Sequence, residues 1–105
     1  MESEDHVSNI ESNEGKIKKL RLLIALLNKA DFSDKELMKE GNNEKYLIYN
    51  FKDQKFEFVS HEKSKKEENS VPYKHLMDGK RGCLKFWDDN IRHLESAITL
   101  SRTKL

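Results

Sequence analysis

The apolar positions of this chain fall into four distinct patterns. From Leu20 to Leu27 only Arg21 is polar. On a helical wheel Leu20, Leu22, Leu23, Ile24, Leu26 and Leu27 cover roughly 200°, against the ~100° stripe of a helix packed on one side only. Residues 16–30 therefore predict a helix covered on two sides, by the rest of the chain or by a second chain. Asn13 is its expected N-cap, with Glu14 beside the positive helix end. Residues 34–40, DKELMKE, predict a short second helix. Ser33 is its N-cap, Glu36 stands at the third position of a capping box, and Gly41 with Asn42 and Asn43 ends it.

The third pattern changes period. Residues 45–61, KYLIYNFKDQKFEFVSH, hold two runs of aromatic and β-branched residues around a polar KDQK segment, the signature of a hairpin. A turn centred on Asp53 and Gln54 pairs Phe51 with Phe56, Tyr49 with Phe58 and Ile48 with Val59. Alternation then puts Leu47, Tyr49, Phe51, Phe56 and Phe58 on the core face. It also sets Lys52 against Lys55, an unfavourable pair, so a four-residue loop in the same register is the alternative. The other face is polar at the turn (Asn50, Lys55, Glu57) and half apolar at its far end, where Tyr46, Ile48 and Val59 lie with His61 opposite Tyr46. A two-stranded ribbon needs further cover, so this end is either covered internally or is a contact surface. Tyr46, Ile48, Val59 and His61 are accordingly the candidate partner-binding residues.

Residues 62–70 are polar and highly charged, and predict a solvated loop. Ser70 is placed to cap a short helix with Pro72 early in it. Tyr73, Leu76 and Met77 form its apolar side, and Gly79 is expected to stop it. Residues 79–82, GKRG, predict a helix–helix turn, with Lys80 and Arg81 as candidate anion or nucleic-acid contacts. The last pattern, from about residue 83 to 102, is a stripe of Leu84, Trp87, Ile91, Leu94 and Ile98 on a long amphipathic helix. Together these elements predict an α+β fold in the order α-α-β-β-α-α: two long helices and two short ones packed on one face of an aromatic hairpin. Residues 15–105 form the single domain. Residues 1–14, with Glu2, Glu4, Asp5, Glu11 and Glu14 but no Lys or Arg, are expected to be a disordered acidic tail.

Composition narrows the function classes. Among 105 residues, 20 Lys and Arg are balanced by 19 Asp and Glu, which argues against a general polyanion binder, since phosphate affinity needs concentrated uncompensated positive charge. The 16 lysines against four arginines, with eight asparagines, hint at an AT-rich genome, that of a low-GC bacterium or one of its mobile elements such as a phage. The acidic start lacks the basic and apolar regions of a signal peptide. The apolar run of the first helix is about half of what a bilayer crossing requires. A single cysteine, Cys83, precludes an internal disulfide. A soluble, cytoplasmic protein is expected.

Chemistry is sparse. Cys83 with His75 or His93 is the one nucleophile–base combination, but Cys83 lies within the buried arc of its helix, where cysteine acts as a small hydrophobe. His6, His61, His75 and His93 are scattered, and Asp89 with His93 supplies two ligands where a metal needs more. The neighbouring carboxylates of Asp88 and Asp89 lie on the predicted solvent side. Gly15, Gly41, Gly79 and Gly82 form no phosphate-cradling loop. No catalytic residue, metal or cofactor is expected. The expectation is a small non-enzymatic protein-binding regulator, inhibitor or adaptor, acting on a host protein if phage-encoded. The wide arc of the first helix further suggests a homodimer. The alternative is a nucleic-acid-binding regulator that uses the basic residues of the second half, although the segment after Ser33 that would serve as a recognition helix carries three glutamates.

Overall fold

The two long apolar stripes pack against each other. The computed structural model describes residues 2–103, and the side chains of residues 7–103. Helix α1 spans Glu2–Lys29 and the C-terminal helix, α5, spans Gly79–Thr103. They run antiparallel, since Arg21 meets Glu95 at 3.6 Å and Glu14 meets Arg102 at 3.1 Å. Ile17, Leu20, Leu23 and Leu27 of α1 form the core with Cys83, Trp87, Ile91 and Ile98 of α5, all buried. No helix among the described residues is long and apolar enough to cross a membrane.

The fold is α+β as expected, with the hairpin between the helices. Helix α2 spans Asp34–Asn42, β1 Tyr46–Asn50 and β2 Lys55–Val59. Ser33 caps α2, its Oγ accepting the Glu36 N–H at 3.2 Å. Two single-turn helices follow the hairpin: α3, His61–Ser64, and α4, Tyr73–Leu76. The first was expected as loop, and Ser60 initiates it by accepting the Lys63 N–H. For α4 the residue at the cap position is Pro72, not Ser70, because Val71 is drawn into the sheet. Residues 79–82, expected as a turn, are the first turn of α5. Gly79, at φ +70°, makes the reversal from α4 into it.

The hairpin keeps the expected faces but not the expected register. Tyr46 pairs with Val59, Leu47 with Phe58, Ile48 with Glu57, Tyr49 with Phe56 and Asn50 with Lys55. That is two residues away from the pairing read from the sequence, and a slip of two preserves which side chains share a face. Asn50 decides it. Its Oδ1 accepts the Asp53 N–H at 3.1 Å and its Nδ2 donates to Asp53 Oδ2, a local side-chain bond that competes with the strand for the turn, while Gln54 takes φ +53° to close the four-residue loop. Lys52 and Lys55 are no longer cross-strand neighbours. Phe51, expected in the core, sits in the loop half out of water and edge-on to Tyr49, with Lys19 Nζ 5.0 Å over its ring.

Leu47, Tyr49, Phe56 and Phe58 face the helices. Phe32, in the connection after α1, packs edge-on against Phe56 and Phe58, and Phe56 stacks at 6.4 Å on Trp87. The indole N–H of Trp87 donates to Asn69 O at 3.0 Å. The free edge of β1 is closed by one residue: Leu47 and Val71 exchange both backbone hydrogen bonds, 3.0 and 2.8 Å. This bridge and α3 supply the cover that a lone hairpin lacks.

The N-terminus departs furthest from expectation. The segment expected as a disordered tail continues α1 back to Glu2, so Asn13 lies inside the helix rather than at its cap. Because Arg102 stands level with Glu14, residues 2–13 run beyond the described end of α5. Twelve helical residues extend about 18 Å, and this projecting arm accounts for a long dimension of 48 Å against 23 and 22 Å.

Candidate protein-binding groove

The surface expected to bind a partner is largely closed. Ile48 is 4% exposed and Val59 6%, because α3 folds back over the outer face of the hairpin and buries Ser64 beside it. What reaches solvent is aromatic: Tyr46 lies with its ring centroid 5.1 Å from His61 and 5.9 Å from Tyr73. Tyr46, Ile48, Val59 and His61 are thus brought together as the sequence implied, but as a small second core with an aromatic lid. The apolar patch expected there is not presented to solvent. The physical reason is the charged 62–70 segment. Its charge pattern predicts a wholly solvated loop, yet its first turn is capped and packs on the sheet.

Lys80 and Arg81 separate. The Lys80 ammonium donates to Ala30 O at the C-terminal end of α1, 3.0 Å away, where it neutralises the negative end of the helix. Arg81 is exposed and borders a groove on the seam between α1 and α5. Ile24 and Leu84 floor the groove, Arg81 and Lys85 rim it one helical turn apart, and its volume is about 700 Å³. Two acids also touch it, and both are engaged. Asp34 Oδ1 accepts the Lys80 N–H at 3.0 Å, and Asp88 pairs with Arg92 at 3.2 Å. The rim is therefore basic and the floor apolar. Further along the same seam, a smaller depression of about 350 Å³ lies between Lys18 and Arg21 on α1 and Glu95 and Thr99 on α5.

The groove was not visible in the sequence. Ile24 and Leu84 each belonged to an arc assigned to the core. Only the packing of the two helices decides that these two positions are left at the edge. The signal available was the excess width of the α1 arc. The structure resolves that excess by burying Leu20, Leu23 and Leu27, leaving Ile24 and Leu26 partly covered and Leu22 48% exposed.

Cys83 is fully buried, and burial pushes its thiol up to about 12, with Asp34 raising it further and a backbone hydrogen bond opposing. A neutral buried thiol is a poor nucleophile. Among the described residues no three His, Cys, Asp or Glu side chains converge as metal ligands. No family model, curated protein or solved structure matches the chain.

Proposed function

We propose that this protein is a non-enzymatic protein-binding regulator, inhibitor or adaptor, and that it binds through the seam of α1 and α5. The observation that carries this reading is the pairing of an apolar floor, Ile24 and Leu84, with a basic rim, Arg81 and Lys85, while the acids beside them are already engaged. A helical segment with an apolar side fits a trough between two helices, and acidic flanks on that segment match the rim. The ligand class is thus an acidic amphipathic helix of another protein. A reducing compartment suits the chain, whose one cysteine is a buried free thiol.

Nucleic acid is the weaker reading. Lys80, one of the two basic residues it would use, is turned inward onto a helix end, and the net charge is only +1. The deciding experiment uses the intact chain and an Arg81→Glu, Lys85→Glu variant as baits in an extract of the native cell. A protein retained by the native chain and lost from the variant supports the groove. Equal retention by both baits counts against it, and salt-sensitive retention of nucleic acid favours the alternative.

A further inference from the structure

The outer face of α1 is centred on a glycine that the chain itself does not need. Gly15 lies in the middle of the helix, and a Cβ placed on it meets nothing within 4 Å. No packing within the chain calls for glycine there, and inside a helix glycine costs stability relative to alanine. What glycine does allow is the close approach of another backbone. At 100° per residue Val7, Glu11, Gly15, Lys18, Leu22 and Ala25 fall within about 80° of one another, on the side opposite the buried Ile17, Leu20, Leu23 and Leu27. All six are exposed, Val7 44% and Leu22 48%, so neither α5 nor the hairpin covers this side. The charge changes sign at the glycine. Residues 7–14 carry Glu11 and Glu14 with no Lys or Arg, and residues 16–29 carry Lys16, Lys18, Lys19, Arg21 and Lys29 with no acid.

We propose that this face is the contact surface of a two-fold dimer, in which the outer faces of two α1 helices lie antiparallel with Gly15 at their crossing. Setting Val7 level with Leu22 of the second copy brings Glu11 level with its Lys18 and puts the two-fold axis between Glu14 and Gly15. The exposed apolar side chains then meet twice, once on each side of the axis, and so do the opposite charges. The interface is isologous, as a closed dimer requires. A parallel pair would set Glu11 on Glu11 and Lys18 on Lys18, so charge selects the antiparallel arrangement. The bodies of the two copies lie on opposite sides of the helix pair, because Leu20, Leu23 and Leu27 point away from the contact. Val7 and Leu22 supply little apolar area, so the dimer is weak and salt-dependent. The seam of α1 and α5 stays open, since Ile24 lies about 140° round α1 from the centre of this face. The dimer and the groove therefore stand or fall separately.

The test is sedimentation equilibrium of the full chain, with substitutions on this face. The native chain is expected to dimerise at low salt, with a dissociation constant that rises about tenfold at high salt. Glu11→Lys and Lys18→Glu each set like charges against one another at both symmetric contacts, and each weakens the dimer by about tenfold. The variant carrying both substitutions regains native affinity, as does an equimolar mixture of the two single variants, and loss of structure could not be rescued in this way. Gly15→Ala separates the helix from the interface: it raises the thermal midpoint of the monomer and weakens the dimer. Circular dichroism checks that every variant keeps its helices. Arg81→Glu with Lys85→Glu, placed in the groove, leaves the dimer intact. A native chain that stays monomeric at low salt overturns the proposal, as does a double exchange no tighter than the single ones. A dimer that Gly15→Ala leaves unchanged, or that is lost on reversing Arg81 and Lys85, places the contact elsewhere and overturns it too.

Discussion

Asp34 and Lys80 are joined across 46 residues by a hydrogen bond from the Lys80 backbone N–H to Asp34 Oδ1, at 3.0 Å. The carboxylate of α2 thereby caps the N-terminus of α5, a contact that ties two elements together and also satisfies an orphan amide. Gly79 makes room for it. A side chain there would put its Cβ 2.6 Å from Asp34 Oδ1, on a backbone at φ +70°. Gly79→Ala is expected to cost about 2–4 kcal/mol, the strain of a non-glycine residue at positive φ plus the loss of the cap. Asp34→Ala, which removes the cap alone, should cost about 1 kcal/mol. Urea denaturation of the two variants checks the order. Equal losses would mean that the cap, not the backbone, is what glycine protects.

Ile48, a candidate contact residue by sequence, is instead enclosed with Val59 beneath α3, whose own Ser64 is buried. Ile48→Ala should therefore destabilise the fold by about 2–4 kcal/mol, as truncation in a packed interior does, and not merely weaken a complex. A thermal midpoint within a degree of the native value would show that α3 does not hold this face shut.

Cys83 links burial to pH. Its thiol is raised from 9.0 to about 12 in the folded chain, chiefly by burial. A raised pKa means that the folded state keeps its proton where the unfolded state has lost it. This contribution is fully present below about pH 9 and drains away between about 9 and 12, at up to about 1.4 kcal/mol per pH unit. Over that window stability should fall more steeply in the native chain than in Cys83→Ala, and iodoacetamide at pH 8 should label Cys83 only after denaturation. Rapid labelling of the native protein would refute the burial argument.

The hairpin loop offers a stabilising change. Gln54 holds φ +53° with no interaction shown for its side chain, a conformation that costs a non-glycine residue about 1–2 kcal/mol. Gln54→Gly should raise stability by up to about 1 kcal/mol, the relief being partly offset by the greater freedom of glycine in the unfolded chain. Asn50→Ala should do the opposite, because Asn50 binds both the backbone and the side chain of Asp53.

Which parts of this molecule could be read from its residues follows from the range of the forces involved. The α2 cap at Ser33, the α5 stripe and the alternating faces of the hairpin are local patterns, and all appear in the structure. The register of the hairpin hung on a side chain, Asn50, that competes with the strand for the turn. The residue types alone favoured a symmetric turn centred one residue further on. The closing of β1 by Val71, the capping of α5 by Asp34 and the turning of Lys80 onto Ala30 join positions 24 to 50 residues apart. No periodicity encodes such contacts. The groove was hidden for the same reason, since Ile24 and Leu84 are ordinary members of their stripes until the two helices are set side by side.

The arm of α1 is where sequence pattern and structure pull apart, and the difference can be measured. Residues 7–9 are exposed and Ile10 only half-buried, so the helix before residue 13 is held by propensity and by continuity with the packed turns that follow. Helices of this length are marginal in water when nothing packs on them. Amide hydrogens of residues 2–12 should therefore exchange far faster than those of residues 17–29, whose alternate turns are anchored by Ile17, Leu20, Leu23 and Leu27. The acidic segment would then behave in dilute solution much as its composition suggests while remaining a helix by structure. Exchange in the arm that is as slow as in residues 17–29 at the lowest concentration would mean that the helix stands without a partner.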